Sequence, residues 1–217
     1  IRLITIKDFI ISMGSKGWIY LLLALIIVLG IVFLPKLLNN QDHLKPDFYL
    51  DNSKVYLLRE YDYERSHEQL KKAITAMRNL ENDLDEESKA ILETSIRQLE
   101  IVLEEIETED LVKSDMNIAY AKALDALTYA EIKVSEHLLE ENAGKEAIIA
   151  LKYGMVHLRN AIKYSDSEEL VKFEMHIYEE LDSLIESNTI DHDQLKAKLD
   201  QLLEELDYIV EETDSII

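Results

Sequence analysis

The sequence contains no cysteine, only two prolines and five glycines, and 23 basic residues against 44 acidic ones. Without cysteine the chain can form no disulfide, no thiolate metal site and no cysteine nucleophile. Both prolines, Pro35 and Pro46, precede residue 50, and only Gly144 and Gly154 follow it. A chain so poor in residues that interrupt helices is expected to be all-α.

Motifs of catalysis and nucleic-acid binding are missing as well. Residues 37–217, which carry most of the acidic side chains, have no glycine cluster that could bind a phosphate and no basic stripe with interleaved aromatic residues. Carboxylates are so numerous that no pair can be assigned as general acid and base. We therefore expect that the protein is not an enzyme and that it has neither a catalytic residue nor a cofactor. The formal charge of −24 over residues 37–217 disfavours nucleic acid and favours a basic protein partner or a cation.

One apolar run stands out, GWIYLLLALIIVLGIVFLP over residues 17–35. The residues from 17 to 34 span about 27 Å as a helix, close to the hydrocarbon thickness of a bilayer. Trp18 and Tyr20 are placed where interfacial aromatic residues belong. The run predicts a single transmembrane helix in contact with the lipid bilayer, closed by Pro35.

Two other interpretations of residues 17–35 are weaker. A buried core helix of this length usually keeps one polar face. A cleavable signal peptide has a shorter apolar region, about 7–15 residues, followed by small residues. Phe33, Leu34, Pro35 and Lys36 offer no such cleavage site. An uncleaved signal anchor fits the sequence better.

Residues 1–16 form an amphipathic or interfacial N-terminal segment, with apolar residues at steps of three and four. A helical extension of the anchor, or a contact with a neighbouring membrane protein, explains the pattern equally well. Three basic residues precede the anchor (Arg2, Lys7, Lys16) and two follow it closely (Lys36, Lys45). This small difference favours an acidic domain outside the cytoplasm, periplasmic or extracellular.

The remainder divides into a linker, residues 36–51, and an acidic helical bundle, residues 52–217. Leucine and isoleucine recur at helical spacing, as in Leu92, Ile96 and Leu99. Possible capping pairs (Asp83 with Glu86, Ser165 with Glu168, Asp191 with Gln194) mark helix starts. Together they predict about six helices, over residues 53–82, 85–108, 112–142, 145–164, 166–187 and 191–213.

Short connections predict that successive helices are antiparallel neighbours, as stacked hairpins or as two three-helix units. A faint similarity at an offset of 82 residues, pairing Leu99 with Leu181, favours two units, although any two amphipathic helices align about as well. The alanines of the third helix predict a close approach by the helix that contains Gly154, across the turn at residues 142–144.

Metal motifs are incomplete. The segment SHEQLK, residues 66–71, has lysine where a zinc protease needs a second histidine. Glu64 and His67 make one E-x-x-H, but a di-iron bundle needs two such pairs and two further glutamates. No metal ligand is assigned. A metal- or cofactor-binding bundle that uses His and Glu side chains is nevertheless the alternative function.

His67 belongs to a mixed face of the first predicted helix, together with Tyr56, Glu60, Tyr63, Leu70, Ile74 and Met77. This face is either a ligand or partner site at the membrane-proximal end or simply the end of the bundle. The sequence as a whole predicts a membrane-anchored, non-enzymatic helical bundle that acts as an interaction, scaffold or accessory-subunit module.

Overall fold

The computed structural model describes residues 42–109, 111–187 and 192–214. This part of the chain contains seven α-helices and no β-strand: α1 Lys45–Val55, α2 Tyr63–Leu80, α3 Glu86–Thr108, α4 Lys113–Glu140, α5 Gly144–Ile162, α6 Glu168–Glu186 and α7 His192–Asp214. They belong to a compact unit that begins at His43. The predicted all-α class and helical bundle are confirmed.

The predicted interfacial segment (residues 1–16) and transmembrane anchor (residues 17–35) lie outside the described residues. None of the described helices combines the length and the apolar character that a membrane crossing requires.

The linker expected over residues 36–51 is helical from Lys45 onward. Pro46 occupies the first turn of α1, where its missing N–H costs nothing, and Leu50 is fully buried. The single helix expected over residues 53–82 is interrupted after α1. A π-helical turn, Tyr56–Glu60, ends at Tyr61 in the left-handed region (φ 54°), and Asp62 then caps α2.

Two predicted capping pairs are wrong by two residues. The side chain of Asp85, not Asp83, caps α3 by accepting a hydrogen bond from the backbone N–H of Ser88 at 2.8 Å. Ser167, not Ser165, caps α6. Each true cap is the residue directly before the first helical turn, where an orphan N–H needs an acceptor. The third predicted cap, Asp191, lies outside the described residues.

Two hydrophobic clusters lie one after the other along α4. The first combines α1, α2 and α3 with the N-terminal half of α4 and with Ala161 at the end of α5, and Leu99 and Tyr120 are completely buried in it. The second combines the C-terminal half of α4 with α5, α6 and α7, around Leu151 and Leu181. Instead of forming two separate three-helix units, the helices form two groups that share α4 and the end of α5.

The predicted close approach of the alanine-rich helix to the Gly154 helix is confirmed. A Cβ atom at Gly154 would lie 3.4 Å from Cβ of Glu131 and 3.6 Å from the carbonyl oxygen of Thr128. The connecting turn is also as expected, because Asn142 adopts the left-handed conformation (φ 61°) and Gly144 begins α5. A residue without a side chain therefore lets α4 and α5 pack closely.

Candidate functional site

The His67 face predicted from the sequence is not one continuous surface. Leu70, Ile74 and Met77 are buried in the first cluster, whereas Tyr63 and His67 are half-buried. The π-helical turn carries Tyr56 and Glu60, which contact Arg65 of α2: Arg65 lies over the ring of Tyr56 and 4.0 Å from a carboxylate oxygen of Glu60. Since Leu70, Ile74 and Met77 belong to the core, the seven side chains do not form one solvent-accessible ligand site.

Histidines and carboxylates are numerous, but in the described ranges no three of them are arranged so that they could hold a metal ion. The nearest arrangements are pairs. His43 Nδ1 lies 2.6 Å from Glu131 Oε1, and His157 Nδ1 lies 2.7 Å from Asp47 Oδ2. The first pair joins His43, just before α1, to α4, and the second joins α1 to α5. His43 and Asp47 both belong to a larger polar arrangement that faces α5.

We call this arrangement the polar ladder. One side consists of His43, Asp47 and Asp51, and the other side consists of Tyr153, His157, Asn160 and Tyr164. The ring of His43 stacks on Tyr153, with ring centroids 4.8 Å apart. Asp47 accepts hydrogen bonds from His157 and from Asn160, the latter at 2.7 Å. Asp51 accepts from the hydroxyl of Tyr164, directly after α5. Residue numbers increase together along both sides, so α1 and α5 run parallel.

The other side of α1 makes a second polar contact, with α2 and α4. Ser53 and Ser66 each donate a hydroxyl to the other's carbonyl oxygen, at 3.0 and 2.9 Å. Tyr120 donates its hydroxyl to Ser53 at 2.8 Å. Burial raises the pKa of Tyr120 and, together with the hydrogen bond to Asp51, that of Tyr164. Both phenols therefore remain neutral donors that hold α1 in place.

Sequence reasoning missed the polar ladder because its first side lies in a segment assigned to the linker. A signal exists nevertheless. His43, Asp47 and Asp51 recur at steps of four, as polar residues do when they form one stripe of a helix. Their partners lie between 88 and 113 positions away, and local periodicity says nothing about such pairs.

Two pairs of acidic side chains connect α4 to α6 and α7. Burial, and then the charge of Glu174, raises the pKa of Asp125 well above its ordinary value. Burial raises the pKa of Glu174 to about 7, against a hydrogen bond from Ser165. The pKa of Glu136 also rises to about 7, through burial and its hydrogen bond to Asp200. The fold therefore favours the protonated forms of Asp125, Glu174 and Glu136, which makes the stability of the bundle depend on pH.

A groove of about 320 Å³ lies on the outside of the first cluster, between α3 and α4. We call it the α3–α4 groove. Its apolar lining comes from Ile101, Val102, Ile118 and Ala119, and its acidic edge from Glu105 and Asp115. Ile101 is 57% exposed, and Val112, just before α4, is 54% exposed. Large aliphatic side chains therefore face solvent beside carboxylates.

Glu105 carries a partly buried carboxylate of the α3–α4 groove. Its Oε2 atom is out of contact with water and accepts no hydrogen bond. Burial, followed by the charge of Asp115, raises the pKa of Glu105. A carboxylate in these surroundings gains from a cationic donor, because the charge-assisted hydrogen bond replaces the water that it has lost.

No protein-family model, curated protein or solved structure matches this chain. Its function must therefore be inferred from its own residues.

Proposed function

We propose that this chain is a non-enzymatic interaction module, an acidic helical bundle held at a membrane by residues 17–35 that recruits a basic protein partner. The α3–α4 groove carries the proposal, since an exposed aliphatic side chain, Ile101, beside a carboxylate oxygen of Glu105 without a hydrogen-bond partner is typical of a surface that a partner covers. The charge of −24 over residues 37–217 adds long-range attraction for basic proteins.

The proposed anchor fits this role. A domain with a large negative charge is repelled by anionic lipid headgroups, so its surface stays accessible to a partner beside the membrane. The balance of basic residues around the anchor favours a bundle outside the cytoplasm. Electrostatic attraction then raises the rate of encounter more than the final affinity.

Salt dependence tests recruitment. The full-length chain in a non-ionic detergent and a chain that begins at His43 are used as baits, at low and high salt. Raising the salt from 0.1 to 1 M shortens the screening length from about 10 to about 3 Å. We expect both baits to capture the same basic proteins at low salt and to lose them at high salt. Capture by the full-length bait alone would assign binding to the anchor and contradict the proposal.

Protease accessibility tests the orientation. Intact cells or spheroplasts that express the full-length chain are treated with a protease that cannot cross the membrane. We expect the bundle to be digested and a fragment with residues 17–35 to remain. A bundle that resists digestion until the cells are lysed would place it in the cytoplasm.

A further inference from the structure

We propose that the α3–α4 groove receives an amphipathic helix of the partner protein, whose apolar face is bordered by lysine or arginine. This inference rests on the proposed function and specifies the part of the partner that is bound. A helix laid in a groove is recognised through apolar residues at positions i, i+3, i+4 and i+7, and charges beside them set specificity.

The shape of the groove suits such a helix. Gln98, Ile101 and Glu105 follow each other at steps of three and four and therefore lie along one stripe of α3. Ile118 and Ala119 of α4 form the opposite wall. Two helices that flank an apolar channel leave room for a third helix, whose side chains fill the space between them. The volume of about 320 Å³ holds a small number of aliphatic side chains.

The charge of the groove selects a basic occupant. Glu105 has a buried oxygen without a hydrogen-bond partner, and the charge of Asp115 raises the pKa of Glu105 further. A lysine or arginine placed there would pair with both carboxylates. An acidic helix, including one from a second copy of this acidic chain, would add repulsion instead.

The end of α3 strengthens this preference. The last turn of α3 carries no basic residue, and acidic side chains accumulate there at Glu104, Glu105 and Glu107, followed by Glu109. The C-terminal end of a helix carries a partial negative charge, which acidic side chains make worse and cations offset. A basic partner would therefore offset the repulsion between these carboxylates and the C-terminal end of α3.

A designed peptide can test the inference without knowledge of the natural partner. The probe is a fluorescent helical peptide of about 18 residues with leucine at i, i+3, i+4 and i+7 and lysine beside this stripe. A matched probe has glutamate in place of lysine. The full-length chain is reconstituted in zwitterionic nanodiscs, and empty discs give the background from lipid. We expect the leucine–lysine probe to bind above background at 0.1 M salt, and the leucine–glutamate probe to bind at least about tenfold more weakly.

Two variants and one control locate the site. Ile101→Gln should weaken binding of the leucine–lysine probe by about tenfold, because it removes an apolar contact at the centre of the groove. Ile149→Gln is the control, since Ile149 is 42% exposed on α5, outside the groove. The double variant Glu105→Lys with Asp115→Lys should reverse the preference and bind the leucine–glutamate probe more tightly. Circular dichroism verifies that each variant is folded.

Equal binding by the parent chain and Ile101→Gln would refute the groove as the site. If Ile149→Gln weakens probe binding and Ile101→Gln does not, the binding site lies on another face of the bundle. That result would refute this inference and leave the proposed function intact. Binding no stronger than to empty discs would refute it as well. The proposed function fails separately, when neither bait captures a basic protein at low salt.

Discussion

Asp47 of α1 and His157 of α5 are both buried, and Oδ2 of the first lies 2.7 Å from Nδ1 of the second, although 110 positions separate them in the sequence. The other carboxylate oxygen of Asp47 accepts a hydrogen bond from Asn160. One side chain of α1 thus satisfies two buried donors of α5. The first prediction follows from this dependence.

Asp47→Ala should lower the free energy of unfolding by about 3 kcal/mol, because it leaves two buried polar side chains without their acceptor. Urea unfolding followed by circular dichroism measures the effect. Asp182→Ala is the control, since Asp182 is exposed on α6, and it should change the free energy by less than about 0.5 kcal/mol. Equal losses in the two variants would show that the ladder adds nothing to stability.

The pKa of Glu174 predicts a bundle that is more stable in mild acid. Its ordinary value of 4.5 is raised to about 7 in the folded state, so the folded chain holds a proton that the unfolded chain releases. This contribution is fully present below pH 4.5, declines as the pH rises and is lost above pH 7. We therefore expect the free energy of unfolding to fall between these values, as urea titrations at several pH values would show.

Glu174→Gln should remove the share of this pH dependence that Glu174 contributes, since an amide resembles the protonated carboxyl and cannot ionise, while Glu136 and Asp125 keep theirs. At pH 8 the variant should exceed the parent chain by about 2 kcal/mol, and near pH 4 the difference should vanish. Glu179→Gln, at an exposed position of the same helix, should leave the pH profile unchanged. A Glu174→Gln variant with the slope of the parent would assign the pH dependence to other groups.

Leu99 tests the first hydrophobic cluster. It is completely buried, so Leu99→Ala should cost about 2–5 kcal/mol through lost apolar contacts and the cavity that remains. Leu99→Asp should be more severe still, because it places an unpaired charge in the core. Ile101→Ala, two residues away and exposed, should cost far less. Thermal melts that coincide for Leu99→Ala and Ile101→Ala would contradict this packing.

The start of the bundle can be tested by truncation. A chain that begins at His43 should be strongly helical and melt cooperatively, whereas one that begins at Tyr56 lacks α1 with Leu50 and Ser53. The shorter chain exposes the apolar surface that Leu50 covers and leaves Ser66 and Tyr120 without partners. We expect it to lose its cooperative transition in circular dichroism. A cooperative melt of the shorter chain would show that α1 is dispensable.

Local regularity explains what the sequence could predict. Leucines at steps of three and four mark the buried stripe of a helix wherever it packs, so helices such as α3 and α6 were expected within a few residues. Likewise, a helix with a glycine and a helix rich in alanine are expected to pack closely, as α5 and α4 do. These signals require no knowledge of the rest of the fold.

The polar elements depend on the tertiary structure. Nothing near Asp47 in the sequence shows that His157 is its partner. Pro46 is typical of a linker as well as of a first helical turn, and only the packing of α1 against the first cluster distinguishes the two. Similarly, Ser165 has the spacing of a helix cap but donates its hydroxyl to Glu174 at 2.6 Å. The α3–α4 groove requires α3 and α4 to lie side by side, which no stripe on either helix specifies.

The helix α4 belongs to both hydrophobic clusters, and its 28 residues pass from one to the other without a break. A cut within it would leave each cluster without one wall. Neither half of the bundle can therefore be inherited, exchanged or duplicated as a self-sufficient module, and recombination could preserve the fold only by breaking the chain in the loops between helices.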